Sequence, residues 1–248
     1  MSSVFYENLT PTDFRARLAA APIAYVPLGT LEWHGEHLPL GSDGLQSRGF
    51  FARIAEDMGG IVLPMLYLGP DRRSVDGATD LIGMDYAETT VPPQRLDGSA
   101  YWVDDALFGN MLDAVVRALA RAGFRIIVAH GHGPSTLAFR NAIPDFEKRY
   151  GVRCHHCWNR DAARADQLGL MIDHGAANET SLMMALHPEL VHMKRAPADL
   201  NTVLTGVGGR DPRTHASAEY GEACMTAVGA ILREVLQSDL AALAAAGR

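Results

Sequence analysis

Two short runs of the chain are apolar almost without interruption: Ile23 to Leu28 (IAYVPL) and the RIIVA segment at residues 125–129. A strand that offers no polar face must be covered on both sides, which is the situation of a strand inside a parallel sheet. Each run leads through a loop rich in Gly and His into a stretch with helical spacing. That alternation predicts βα units, hence an α/β fold with a mainly parallel sheet. With 248 residues, 48% of them hydrophobic, the chain can bury such a sheet without disulfide or metal staples. A metal site here would therefore serve chemistry rather than folding.

Caps and breakers divide the rest. Thr10-Pro11 opens a short helix through Ala20. A helix starting near Ser42 or Asp43 carries Phe51, Ile54, Ala55 and Met58 on one face and stops at Gly59-Gly60. Ile61 to Leu63 reads as a short strand. A helix from about Asp104 bears the stripe Phe108, Leu112, Val115, Val116, Leu119 and ends at Gly123. After RIIVA, a helix runs to about Tyr150, and Val152 to Trp158 reads as a strand. Asn178 is expected to cap a helix holding Glu179 through Leu186. A last helix begins near Ala216, carries Met225, Val228, Leu232, Val235 and Leu236, and runs into the tail AALAAAGR, a good helix former that frays at its end. Residues 66–103, rich in Gly, Pro and Asp, show no regular pattern; a long loop in a compact domain is often a lid or a subunit contact.

Some partners are disfavoured. The net charge of -7 argues against nucleic acid, which needs a basic surface. No stretch approaches the roughly 18 apolar residues of a membrane span, so no membrane partner is expected. Three cysteines, Cys154, Cys157 and Cys224, and an N-terminus without a basic and then apolar leader suggest a cytoplasmic protein.

Three segments carry chemistry. GTLEWHGEHLPLGSDG, ending at Gly44, follows the first strand and so lies at its carboxyl end, where open parallel sheets build their sites. Glu32 and His34 are two apart and share a side of an extended segment. Asp43, at the start of the next helix, can return to the same crevice. This mixed N/O set suits zinc, manganese or iron, and one aspartate has two oxygens with which to bridge two ions. The second segment, VAHGHGPS at residues 128–135, offers His132 between two glycines that allow close approach. His130 reads as a buried histidine hydrogen-bonded inside the sheet. The third is IDHGAANETSLMMALHP, residues 172–188. There Glu179 heads a buried stripe with Leu182, Met183 and Leu186, and a buried carboxylate is costly unless paired or metal-bound. His174 sits in a Gly-containing turn and can move a proton at neutral pH. CHHC at 154–157 has CxxC spacing but no second ligand pair, and reads as structural. GxxxxGK[ST], GxGxxG, HEXXH and GxSxG are all absent.

In this order the three segments resemble the creatininase (creatinine amidohydrolase) family, whose signatures run close to G[ST]xEQHGxHLPLxTD, NGHGGN and HAGxxETS. GVGGRDPRTHASAEYGE adds a weaker match, and the likeness spans roughly residues 20 to 235. The resemblance implies a three-layer α/β/α sandwich, with residues 1–248 as one domain. It implies a two-metal site, zinc and/or manganese with iron possible, for hydrolysis of a small-molecule amide C–N bond by a metal-bridging hydroxide. It puts metal ligands on Glu32, His34, Asp43 and His132, with Asp43 bridging. It gives His174 substrate contact and proton transfer and places Trp158 near the substrate pocket, with Gly133 at a substrate-contacting position; the neighbouring Asp173 is the candidate to orient His174. It also implies a homo-oligomer, a hexamer being possible. Creatininase takes a further metal-binding glutamate two residues after the histidine matched by His132. Pro134 stands there in this chain, and Glu179 is the candidate replacement. Gly133 and Leu170 replace a tyrosine and a tryptophan that contact substrate, which puts creatinine itself in question. His130 replaces the usual Asn and Trp33 the usual Gln. A formamide or peptide amidohydrolase, or a metal-binding regulatory protein without catalysis, are the competing readings.

Overall fold

The computed structural model describes residues 3–76, 79–157 and 168–247. The chain begins with α1 (Pro11–Ala20), whose Thr10 and Asp13 form a reciprocal capping box with Pro11 at the first turn. Strand β1 (Ile23–Leu28) follows, then α2 (Ser42–Met58) and the two-residue β2 (Ile61–Val62). A hairpin of β3 (Arg73–Asp76) and β4 (Thr79–Ile82) lies within the stretch that showed no pattern in sequence. Next come α3 (Asp105–Ala122), β5 (Ile126–Gly131), α4 (Gly133–Tyr150) and β6 (Arg153–His156). The chain closes with α5 (Ala177–Leu186), the single turn α6 (Pro212–His215) and α7 (Ala218–Ala245).

The main sheet has the order β2-β1-β5-β6 and is parallel throughout. Register pairs Ile23 with Ile126 and Leu28 with Gly131. Every residue of β1 and β5 is buried. Alternate residues enter two cores, one on each face. Ile23, Tyr25, Ile126 and Val128 pack with Phe50, Phe51 and Ile54 of α2 and with Met225, Val228 and Leu232 of α7. Ala24, Val26, Leu28, Ile127 and Ala129 pack with Phe108, Leu112 and Val116 of α3 and Phe139 of α4. These are the three layers the sequence led one to expect.

One expectation changes in detail, and the helical tail is as expected. Asn178 does not cap α5; it lies inside the first turn, where its side chain binds the Ile172 amide and the Gly169 carbonyl. The tail is helical to Ala245. Among the described residues, no helix is long and apolar enough to cross a membrane.

The topology creates one crevice. After β1 the chain turns through α2 to β2, and after β5 it turns through α4 to β6, on the other side. Because α2 and α4 pack on opposite faces, the two exits diverge at the carboxyl ends of neighbouring strands. Such a switch point is where open α/β sheets bind their ligands. Gly131 marks the spot: its φ is +147°, and a Cβ there would collide with the Leu28 carbonyl of the adjacent strand.

Candidate metal centre

The switch point gathers side chains from four places. Glu32 and His34 come from the loop after β1, Asp43 from the first turn of α2, His132 from the end of β5 and Glu179 from the first turn of α5. All five are buried. Asp43 is at the centre. Its Oδ1 lies 3.2 Å from His34 Nε2, and its Oδ2 lies 3.1 Å from His132 Nδ1. Glu32 Oε1 joins the second group at 2.9 Å from His132 Nδ1, and Glu179 Oε2 the first at 3.5 Å from His34 Nε2. Two sets of donors thus share one aspartate: Glu32, Asp43 and His132, and His34, Asp43 and Glu179, the atoms of each set within 4.8 Å of one another.

The neighbours of each imidazole fix which nitrogen faces the cluster. His34 donates its Nδ1 hydrogen to the Glu32 carbonyl at 3.1 Å, so the lone pair of Nε2 points inward. His132 donates from Nε2 to the Pro70 carbonyl at 3.0 Å and turns Nδ1 inward. Without a cation the charges compensate one another. Burial works against a charged His34, but Asp43, Glu179 and Glu32 outweigh it and lift its pKa to about 10. Burial also opposes a charged His132, and Glu32 and Asp43 hold it well above its usual value. Burial would raise Asp43, yet the charge of His34 and hydrogen bonds from both histidines keep it well below the normal carboxylate range. Glu179 is pushed up by burial, with His34 opposing.

This donor set fits divalent cations. Three carboxylates and two imidazoles, oriented by backbone groups, are the ligands that zinc and manganese take. Burying three carboxylates together is expensive unless a counter-charge occupies the space between them. Protons on the histidines supply part of it, and two dications would supply it fully.

The remaining candidates divide. His174 stacks on His34, ring centroids 4.3 Å apart and planes 24° from parallel, and donates from Nε2 to the Trp33 carbonyl at 2.7 Å. Burial and the charge of His34 lower its pKa. Asp173 does not orient it. Its two oxygens accept the amide hydrogens of Asn178 at 2.7 Å and Glu179 at 3.1 Å, so it holds the start of α5, and with it Glu179. The Trp33 carbonyl fixes His174 instead. Gly133 lines the cavity above the cluster, and Pro134 occupies the first turn of α4, where a missing N–H costs nothing. Trp158 lies outside the described residues. His130 is buried in β5, but neither ring nitrogen has a hydrogen-bond partner among the described residues, and burial drives its pKa down to about 3. Cys154 and Cys157 are buried free thiols of the β6 region, and burial pushes Cys154 up to about 12.

Sequence reading missed Pro70 and Asp71. Both belong to the irregular stretch before the hairpin, and neither a backbone carbonyl nor a lone aspartate carries a motif. Asp71 shares with Glu32, Asp43, His132, His174 and Glu179 the wall of a cavity of about 860 Å³. Burial and the charge of Glu32 push its carboxyl up to about 6. Met84, Leu137 and Ile172 give the same cavity an apolar side, with Arg72 and Asp105 also lining it.

The chain is similar to known proteins over most of its length. The sequence model of the creatininase family, described as creatinine amidohydrolase, matches residues 7–236. A creatinine amidohydrolase of Pseudomonas putida is 33% identical over 213 residues, 78% of this chain and 75% of that protein. The solved structure of a mutant creatininase, Zn-Zn type, superposes with a TM-score of 0.69 at 25% identity, covering 95% of this chain and 99% of the other. Another, creatininase Mn, gives 0.66 at 26% identity, covering 96% and 98%.

Proposed function

The chain belongs to the creatininase family, and from that premise we propose that it is an amidohydrolase that cleaves a small-molecule amide C–N bond with two divalent cations, zinc and/or manganese. The observation that carries this reading is Asp43, whose two carboxylate oxygens face two separate donor sets. Glu32, Asp43 and His132 would hold one cation; His34, Asp43 and Glu179 would hold the other. Glu179 thereby stands in, from another helix, for the glutamate that Pro134 displaces. Cations in those positions supply Lewis acidity, polarising an amide carbonyl and lowering the pKa of a water from about 15.7 towards about 7.

The protein's own groups do the rest. The Glu32 and Pro70 carbonyls hold both ligand imidazoles in the tautomer that keeps a lone pair on the cluster. His174 has Nε2 committed to Trp33, so Nδ1 is the nitrogen that takes up a proton and returns it to the leaving nitrogen. Its lowered pKa keeps that nitrogen free near neutrality. Leu137, Ile172 and Met84 form the apolar side against which a substrate excludes water. The same reading takes residues 1–248 as one domain of a cytoplasmic homo-oligomer. Val75 of the hairpin and Val91, Tyr101 and Leu107 further along the chain are exposed apolar side chains of the kind a subunit contact covers.

The test is direct. Protein stripped of metal and reloaded with zinc or manganese should bind two ions per chain by mass spectrometry. It should then hydrolyse at least one member of a panel of cyclic ureas, lactams, formamides and short peptides. Two bound ions with no amide cleaved would defeat the reading.

A further inference from the structure

Residues 197–203 are all exposed and form neither helix nor strand, so burial does not hold them in shape. A single guanidinium does. Arg213, in the one-turn α6, has a side chain only 9% exposed. Its Nη1 donates to the carbonyls of Pro197 at 2.9 Å and Asp199 at 2.8 Å. Its Nη2 donates to those of Leu200 at 3.2 Å and Thr202 at 3.0 Å. Asp211 completes the set, accepting from Nε at 3.0 Å and from Nη2 at 2.7 Å. Four carbonyls of one loop thus converge on a planar fork of N–H donors, which the point charge of a lysine does not reproduce.

The same loop runs on to His174. The Thr205 carbonyl accepts the Trp33 indole N–H at 2.7 Å. Gly206, with φ +65°, makes room for that ring, since a Cβ there would stand 2.6 Å from it. Gly208 exchanges both backbone hydrogen bonds with His174, each 2.8 Å long. Trp33 in turn presents the carbonyl that accepts from His174 Nε2. One loop therefore grips His174 twice, its main chain through Gly208 and its ring through Trp33. Resting on the amidohydrolase reading, we propose that Arg213 is a positioning residue for His174, acting through Thr205, Trp33 and Gly208. Without the fork the loop loosens, the Trp33 carbonyl shifts, and the imidazole turns where it stacks on His34. A displacement of about 1 Å costs up to about 100-fold in rate. The loss falls on the step that needs the proton. As the C–N bond breaks, its electron pair goes to the nitrogen and the proton on His174 Nδ1 follows it. A nitrogen that departs readily on its own depends least on that delivery.

Zinc-loaded wild type and Arg213→Lys are compared for metal content, for hydrogen exchange of the Trp33 indole N–H by NMR, and for turnover of formanilide and 4-nitroformanilide. The two anilides share an acyl group, and the nitro compound has the better leaving nitrogen. Arg213→Lys is expected to hold two ions and to exchange the indole hydrogen at least about ten-fold faster. Its kcat on formanilide should fall by at least about ten-fold with KM nearly unchanged, and on 4-nitroformanilide by less than about three-fold. Should the lysine variant not fold, Trp33→Phe, which keeps an aromatic ring and removes the indole donor, takes its place with the same split in turnover. An equal loss on both anilides, as a merely structural role would give, overturns the inference. So does an unchanged kcat on formanilide, an indole that exchanges at the wild-type rate in the variant, or a wild type that cleaves neither anilide. Failures separate cleanly. A wild type that binds two ions and cleaves another amide leaves the amidohydrolase reading standing when any of these occurs. Two bound ions with no amide cleaved defeat that reading itself, even where the variant indole exchanges faster.

Discussion

At the scale of single residues, Asp43 is the group on which both donor sets depend. A carboxylate with two buried histidines on its two oxygens has no substitute of equal reach nearby. Asp43→Ala is expected to lose both ions in elemental analysis and to lower turnover by more than about 100-fold, the upper range that loss of a mere supporting partner already costs. Its circular dichroism should remain that of the wild type, because the sheet and both cores lie beneath the cluster. A metal-replete Asp43→Ala protein with wild-type turnover would remove Asp43 from the site. Neighbouring residues show what a sequence can and cannot say at this scale. Glu32, His34 and His132 were legible because their spacing and flanking glycines have few other uses. Asp173 was misread as the partner of His174, since adjacency along a turn says nothing about direction, and its carboxylate points to the amides of α5.

At the scale of elements, the placement of Glu179 depends on how α5 seats against α7. Gly221 of α7 lies over the Ser181 carbonyl of α5, and a Cβ there would overlap backbone atoms that cannot move aside cheaply. Gly221→Ala should therefore push the helices apart, at the roughly 1–3 kcal/mol that overpacking costs. For a chain of this size that lowers Tm by about 2–4 °C for each kcal/mol. Metal affinity should fall with it, because the shift is transmitted to the first turn of α5. Gly109 of α3 is the control, with open space where its Cβ would stand. Gly109→Ala should raise stability by about 0.5–1 kcal/mol and leave metal binding unaltered. Helix boundaries were legible from Thr10, Asp104 and Gly123, each of which caps as its chemistry dictates. The β3–β4 hairpin was not, because its residues Arg73 to Ile82 mix charge with only a few apolar side chains.

At the scale of the whole molecule, the architecture was legible because a doubly covered parallel strand leaves few alternatives; the cavity was not, because Pro70, Asp71, Gly83 and Met84 come from the patternless stretch. The buried cluster also ties global stability to pH. His34, His132 and Glu179 all hold protons more tightly in the metal-free fold than in the unfolded chain. Such groups stabilise the fold below their unfolded pKa and lose that contribution as pH rises through the folded value. For His34 the window runs from 6.5 to about 10, with a slope of up to about 1.4 kcal/mol per pH unit. The opposite sign holds for His37 and His130, lowered by burial to about 4 and about 3. They are neutral inside the fold, so their contribution is present above 6.5 and is lost as pH falls through those values. The chelated protein should therefore melt at a temperature that peaks near pH 6.5 and declines towards pH 10. Cations replace the protons between the carboxylates, so the metal-loaded protein should keep a nearly level Tm across that alkaline span. Thermal melts at half-unit pH steps, with and without chelator, measure the difference. A chelated protein whose Tm climbs between pH 7 and 9 would show that the histidines face the carboxylates uncharged.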